Sequence, residues 1–399
     1  MSGTSTPWLE AAAAARLLGV TRATLYAYVS RGFIRSQPGS GSSRERLYAR
    51  EDVERLRRRT EERKAPDKVA ARALQWGMPI LESAITLIDG QRLYYRGMDA
   101  AALARDTTLE QVASLMWTGR MDDDHAAAPA KAATIRMELP FVPRAQTLLA
   151  AAGARDPLAM DLRPANVVRI GFAVLRLMTG AAIGSLPGEA PAHRALATAW
   201  RVRGRGAEVI RAALVLCADH ELNVSAFTAR CAASSGSHPY GAVVAALSAF
   251  EGPRHGGAGR RVEAMLEAMR AERSLSRAIA ARVRRGESIE GFGHPLYRGG
   301  DPRARLMLEL LEDWPASAER RFVRDFVRAA EEATGDRPNL DFGLAAITRV
   351  LRLPESSPMT LFAIGRSAGW IGHALEQYAT GQLIRPRAKY VGVPPVLAG

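Results

Sequence analysis

From about residue 100 to the C-terminus, alanine and leucine recur at three- and four-residue spacing in one segment after another. That period belongs to helices with one apolar face, and it leaves little room for any fold but packed helices. It predicts helices at Leu109–Trp117, Ala207–Ala218, Tyr240–Phe250, Arg261–Arg270, Ala304–Leu311 and Thr360–Ala379. Gly- and Pro-bearing loops separate them, as at Ser234–Pro239 and Gly291–Pro302. Ser83–Gly90 is the one stretch that reads convincingly as strand and turn. Aromatic residues make up only 6% of the chain, which also favours helical packing over a β-sandwich. Residues 120–204 are Ala/Pro-rich and weakly patterned, and no internal repeat is visible. With 399 residues, two or three domains are expected.

Composition excludes several classes. A hydrophobic content of 47% beside 24% charged residues is ordinary for a globular chain and argues against disorder. Two cysteines, Cys217 and Cys231, cannot form a disulfide framework, so a reducing compartment is expected. The most apolar stretch, Val167–Leu186, carries Arg169 and Arg176, which argues against a membrane span. The first residues have no basic segment before an apolar core, unlike a secretory signal. A cytoplasmic location is the expectation.

The net charge of +14 is uneven. Residues 1–64 hold 13 Arg/Lys and 7 Asp/Glu, so +6 falls in one sixth of the chain. Leu9–Leu18 reads as a helix stopped at Gly19-Val20, and Thr21 can cap a second helix over Arg22–Arg31. That second helix is expected to show Arg22, Thr24, Tyr26 and Tyr28 outward and to bury Leu25 and Val29. Ile34-Arg35-Ser36, a Gly/Ser tip at Gly39–Ser43 and Arg44–Tyr48 read as a hairpin, and Glu51-Asp52-Val53 opens a basic helix. The order resembles the winged helix-turn-helix of MerR-type and excisionase-type DNA-binding modules over about residues 8–59. That resemblance implies Arg22, Thr24 and Tyr26 at bases or phosphates, with Arg44 and Arg46 on the flanking backbone. A helical docking module that touches no DNA is the competing reading.

Four segments carry chemistry. Ala218–Thr228 is a polar cluster after an apolar helix. Gly252–Ala258 sets His255 among glycines at a helix start. Gly291–Arg303 is a glycine-punctuated loop with His294, Arg298 and Arg303. Pro338–Gly343 frames Asp341 with apolar residues. Arg366, Arg385 and Arg387 follow. Each alone is ordinary: a buried histidine is usually a satisfied core residue, and an arginine in an apolar helix usually an ion-pair partner. Together, loop histidines, an apolar-framed carboxylate and several arginines suit a dianionic small acid and proton transfer. Gly365–Gly369 also fits the G-x-S-x-G pattern of serine hydrolases, but that elbow needs a strand before it, and the surroundings are helical. Asp219, His220, Glu221, His255 and His294 offer no metal-ligand spacing, so no metal is expected.

The segments taken in order resemble citrate synthase: Ala218–Arg230, Ser235–Ala246, Gly252–Ala258, Gly291–Ala304, Asn339–Gly343, Phe362–Gln377 and Leu383–Gly392, with Ile85–Asp122 matching the family's opening β-element and first helices. The likeness spans about 80–399 and fades over 122–200. It implies an all-α citrate-synthase fold, a large helical domain plus a small helical lid (roughly 255–355), preceded by the winged module (1–64) and a linker (65–79). It implies Asp341 as the base that takes a proton from the methyl of acetyl-CoA. His255 would bind the thioester oxygen and stabilise the enol, and His294 would polarise the oxaloacetate ketone and donate to the forming alkoxide. His220, Arg303, Arg366 and Arg385 would bind oxaloacetate, with Arg385 reaching across a homodimer. Phe292, Gly293, Pro295, Leu296 and Arg298 would line the CoA strip. No cofactor is implied, because the acyl-CoA is a co-substrate.

Two departures stand out. The family usually reads HGGAN, whereas Gly259 ends the run here, and Pro295-Leu296 stands where it has Arg and a branched residue. Both touch the rim near CoA, so 2-methylcitrate synthase using propanoyl-CoA is the alternative within the class. From another class, the alternative is a metabolite-sensing DNA-binding regulator that retains the pocket without turnover.

Overall fold

The computed structural model describes residues 8–39, 46–54, 56, 81–121, 138–186 and 188–395, and the chain divides into two compact units, Met1–Glu82 and Ser83–Gly399.

In the first unit, β1 (Trp8–Glu10), β2 (Ser36–Pro38) and β3 (Arg46–Ala49) form an antiparallel sheet in the order β1-β3-β2, with α1 (Ala11–Leu18) and α2 (Arg22–Ser30) inserted between β1 and β2. The hairpin read from the sequence is present, with Ser36 opposite Tyr48. Leu9-Glu10, expected as helix, is strand, because Tyr48 and Leu47 offer ladder partners thirty-nine and thirty-seven residues away. Gly19 ends α1 at φ 64°, and Thr21 Oγ1 accepts the Thr24 N–H to start α2. Leu9, Ala14, Leu25, Ile34, Tyr48 and Val53 make the core. Asp52, itself buried, accepts from Arg35 N and Nε at 2.9 and 2.8 Å, which fixes the root of the hairpin.

The second unit opens with a meander, β4 (Thr86–Asp89), β5 (Arg92–Tyr95) and β6 (Met98–Asp99), and continues as helices. The expected helices all form: α4 (Leu109–Thr118), α8 (Gly206–Leu216), α10 (Pro239–Phe250), α11 (Ala258–Arg270), α13 (Pro302–Glu312) and α16 (Ser357–Thr380). With α3 (Ala100–Asp106), α9 (Val224–Ser234), α12 (Leu275–Arg284), α14 (Ala318–Thr334) and α15 (Leu340–Leu351) they make a largely helical body. The weakly patterned 120–204 region holds α5 (Phe141–Arg155), α6 (Pro164–Ile183) and α7 (Ala192–Ala199). Its prolines punctuate helix starts: Pro164 is the first residue of α6, and Pro140 and Pro191 precede α5 and α7. By length and composition α6 is apolar enough to cross a membrane, yet it is mostly buried among the other helices. Its Arg169 pairs with Asp156 at 2.7 Å, and Arg176 donates to the Gly188 carbonyl at 2.8 Å.

Helix α16 is the axis of this unit. It packs against α4, α6, α8, α9 and α10 and is buried without interruption over Ser357–Ala374. The glycines of Gly365–Gly369 are a packing seam. A Cβ at Gly365 would lie 2.5 Å from the Leu214 carbonyl oxygen, and one at Gly369 2.6 Å from that of Ala218. Ser367 is fully buried and its hydroxyl donates to the Ile364 carbonyl within the helix at 2.6 Å. No nucleophile elbow exists there.

Candidate active site

Two groups of side chains meet at the end of α8. The first belongs to the helical body. Helix α8 stops at Cys217, and the turn that follows carries Asp219 and His220. Asn223 caps α9, its Oδ1 accepting from the backbone N–H groups of Ser225 and Ala226 at 3.1 Å each. This presents Ser225 Oγ 2.7 Å from His255 Nε2, and the hydroxyl donates to Asn223 Oδ1 at 2.7 Å and accepts from Trp370 Nε1 at 3.0 Å. The His255 ring sits edge-on to Phe250 and Phe362 at 5.2 and 5.8 Å. From α16, Arg366 lies over the Phe362 ring at 4.8 Å and donates Nε to the Cys217 carbonyl at 2.8 Å. Arg366 is 1% exposed, and its Nη2 has no hydrogen-bond partner among the described residues. Burial lowers its pKa and Asp219 opposes that shift.

The second group is built on the loop after α12 and the start of α15. Gly291 adopts φ 83°, and a Cβ there would come 2.9 Å from Cβ of Phe342. Only glycine lets the loop lie this close. Gly293 N donates to Arg337 O and Asn339 N to Gly291 O, each at 2.8 Å, while Asn339 Nδ2 reaches Gly293 O at 3.1 Å. The loop and the N-terminus of α15 are thereby stapled together. Asp301 caps α13 and pairs two-pronged with Arg303, Nε to Oδ1 at 2.9 Å and Nη2 to Oδ2 at 2.7 Å. Asp301 Oδ2 also accepts from Leu340 N at 3.1 Å, so one buried carboxylate joins Arg303 to the helix that carries Asp341.

The electrostatics follow from burial. Burial raises Asp341 to about 6, with Arg303 opposing the shift and Asp301 reinforcing it. Burial and, secondarily, Arg366 lower His255 to about 3, while burial and then Arg303 lower His294 to about 4. His220 falls well below its ordinary value through burial, with Arg303 and Arg366 adding to it. All three rings are neutral at pH 7, donors without charge. His294 Nδ1 accepts the Leu296 N–H at 3.2 Å, which leaves its proton on Nε2. The site thus offers one carboxylate near its working range for proton abstraction, neutral N–H donors, and two buried guanidiniums.

Most predicted site residues converge here. His220 and His294 rings are 5.3 Å apart, and Arg303 lies over Tyr297 at 5.8 Å. Phe292 packs inward, edge-on to Phe342 at 5.0 Å, while Pro295, Leu296 and Arg298 are exposed beside it. Arg385 is exposed in residues 381–395, which form neither helix nor strand. In the first unit Arg22, Tyr26 and Arg46 are exposed, and Arg44 lies outside the described residues. Tyr28, expected outward, is half-buried against the core and meets Phe33 edge-on at 6.3 Å. Thr24, also expected outward, is half-buried and its hydroxyl is 2.9 Å from that of Thr21.

Sequence reasoning missed Asp301, Ser225 and Tyr297 as site-builders. Asp301-Pro302 carried a signal, an acceptor side chain before proline at a helix start. It also missed a buried group behind His220. Asp219 Oδ2 accepts from Thr86 Oγ1 at 2.6 Å, and Oδ1 lies 3.3 Å from His373 Nε2. Among the described residues no group of three or more His, Cys, Asp or Glu is placed to hold a metal ion.

A family model described as "Citrate synthase, C-terminal domain" matches residues 73–387, and one described as "MerR HTH family regulatory protein" matches residues 10–61. A citrate synthase of Haloferax volcanii is 30% identical over 79% of this chain and 94% of its own length. "Citrate synthase 2" of Bacillus subtilis is 38% identical over 46% of this chain, and a 2-methylcitrate synthase of Shewanella oneidensis 34% over 47%. Each of those two matches spans 51% of the relative's length, so the chain aligns with about half of them. Among solved structures, citrate synthase from Thermotoga maritima superposes with a TM-score of 0.66 at 26% identity, covering 81% of this chain and 96% of that one.

Proposed function

The chain belongs to the citrate synthase family, and from that premise we propose that it condenses an acyl-CoA with oxaloacetate. The observation that carries this reading is the Asp301 carboxylate that ties Arg303 to the start of α15, where burial raises Asp341 to about 6, in a site that also holds neutral histidines and, in Arg366, a buried guanidinium with an open N–H. Asp341 takes a methyl proton from acetyl-CoA. His255, a neutral ring, binds the thioester oxygen and stabilises the enol as charge develops there. The enol carbon attacks the ketone of oxaloacetate, and His294 Nε2–H protonates the forming alkoxide. Hydrolysis of the resulting thioester releases CoA. His220, Arg303 and Arg366 hold the acid, whose two carboxylates suit the planar guanidinium fork. Phe292, Gly293, Pro295, Leu296 and Arg298 flank the CoA adenine.

A thiol-release assay with oxaloacetate and either acetyl- or propanoyl-CoA tests this. Release with acetyl-CoA as the better substrate supports citrate formation, and the reverse order supports 2-methylcitrate formation. No release with either leaves the regulator reading, in which the pocket senses metabolites.

Arg385 completes the site of a second subunit in this proposal. Mixing Asp341→Ala subunits with Arg385→Ala subunits is then expected to restore activity, because one site of each mixed dimer keeps both residues. Subunit exchange confirmed by tag pull-down without any recovery would place Arg385 in its own subunit's site.

The first unit is proposed to bind duplex DNA, supported by its helix-turn-helix, its wing and the +6 charge over residues 1–64. The full chain is expected to retard mixed duplex fragments at low salt and to release them as salt rises. Deleting residues 1–76 should abolish retardation and leave condensation intact. No retardation at low salt would favour a docking module.

A further inference from the structure

Tyr297 is buried to 2% exposure, and its hydroxyl lies 3.0 Å from His220 Nε2. This bond links the two groups of the site, since Tyr297 belongs to the loop stapled to α15 and His220 to the turn after α8. The tyrosine ring is wedged against His294 at 4.8 Å and under Arg303 at 5.8 Å, so its hydroxyl has little freedom to turn elsewhere. Among the described residues the hydroxyl has no other hydrogen-bond partner, and neither has the His220 ring.

We infer that Tyr297 is a positioning residue that fixes His220 as the Nδ1–H tautomer, through its buried hydroxyl donating to Nε2. A phenol is the better donor of the pair and a neutral imidazole nitrogen the better acceptor. The opposite polarity would leave a buried O–H without an acceptor, which is costly. His220 is kept neutral by burial and by two arginines, so it has a single N–H to place. With Nε2 occupied, that N–H is on Nδ1, the donor left for an acid in the site. His294 is held in the opposite sense by the Leu296 N–H on its Nδ1. The paired rings therefore present different nitrogens, one set by a side chain and one by the backbone.

The inference rests on the condensation reading only for the identity of the acid. The test uses the full chain labelled with ¹⁵N-histidine. Nitrogen shifts and couplings assign the tautomer of His220, identified by the signals lost in His220→Gln. The expected result is a pyrrole-type Nδ1 and a pyridine-type Nε2. Tyr297→Phe keeps the ring packing and removes the donor. It should move the proton toward Nε2 and weaken oxaloacetate binding, measured by calorimetry, roughly three- to tenfold, the scale of one neutral hydrogen bond. Turnover at saturating oxaloacetate should change much less. A protonated Nε2 in the wild type overturns the inference whether or not the variant folds, and so does an Nδ1–H retained in Tyr297→Phe. A wild-type protein with the expected tautomer that binds no oxaloacetate supports the tautomer assignment and sinks the condensation reading alone.

Discussion

Replacing Asp341 with alanine is expected to cut turnover by about 10²–10⁴, the usual contribution of a positioned general base, while oxaloacetate binding changes little. The separation follows from the layout. Asp341 stands at the start of α15, and in the proposed mechanism it reaches the acyl methyl while Arg303, Arg366 and His220 hold the acid. Isothermal titration with oxaloacetate and steady-state thiol release measure the two quantities independently. Turnover within a few-fold of wild type would remove Asp341 from the chemistry. The pH profile adds a signed expectation. The reactive form is the carboxylate, and burial lifts it to about 6, so kcat/KM should fall as pH drops through about 6. In Asp341→Ala that limb should vanish from the residual rate.

Replacing Asp301 with alanine should be the most damaging change to stability near the site. It leaves the buried Arg303 guanidinium without its carboxylate and the Leu340 N–H without its acceptor. Breaking a buried ion pair from one side costs about 3–5 kcal/mol. Urea unfolding should show a lower midpoint, and oxaloacetate binding should weaken with it. The pH dependence has a definite sign. Asp301 sits below its ordinary 3.8 in the folded chain, with Arg303 outweighing burial, so the native state binds fewer protons than the unfolded one. The stabilisation is complete above about pH 4 and fades as pH falls through the lowered value. A variant as stable as wild type at pH 7 would mean that Arg303 finds another counter-charge.

Much of this was legible in the sequence, for local reasons. The Thr21 cap, the Gly19 stop, the hairpin and the six strongest helices depend on residues within a few positions of one another. So did the four chemistry-bearing segments, whose glycines, histidines and carboxylate mark themselves. What stayed hidden was made by partners far apart in the chain. Strand β1 exists because Leu9 pairs with Tyr48. Ser225 and His255 meet across thirty residues, and Asp301 reaches Leu340 across thirty-nine. Helices α5 to α7 escaped notice because their prolines, which start them, read as loop. Gly365–Gly369 fits a nucleophile pattern as text, its helical surroundings already argue against an elbow, and only the presence of α8 behind it shows that its glycines are a packing seam.

That seam sets the position of Arg366. Arg366 lies one residue past Gly365, and the depth to which α16 sinks against α8 fixes how far its guanidinium projects. The depth is set by two missing methyl groups, at Gly365 and Gly369, each of which would strike a carbonyl oxygen of the turn end of α8. An alanine at either position would push the helix outward and carry Arg366 with it. In the proposed mechanism, the size of acid that Arg366 can grip is therefore calibrated by the distance between two backbones. Tuning for a longer or shorter acid by exchanging lining side chains leaves that calibration untouched, whereas a single methyl in the seam resets it.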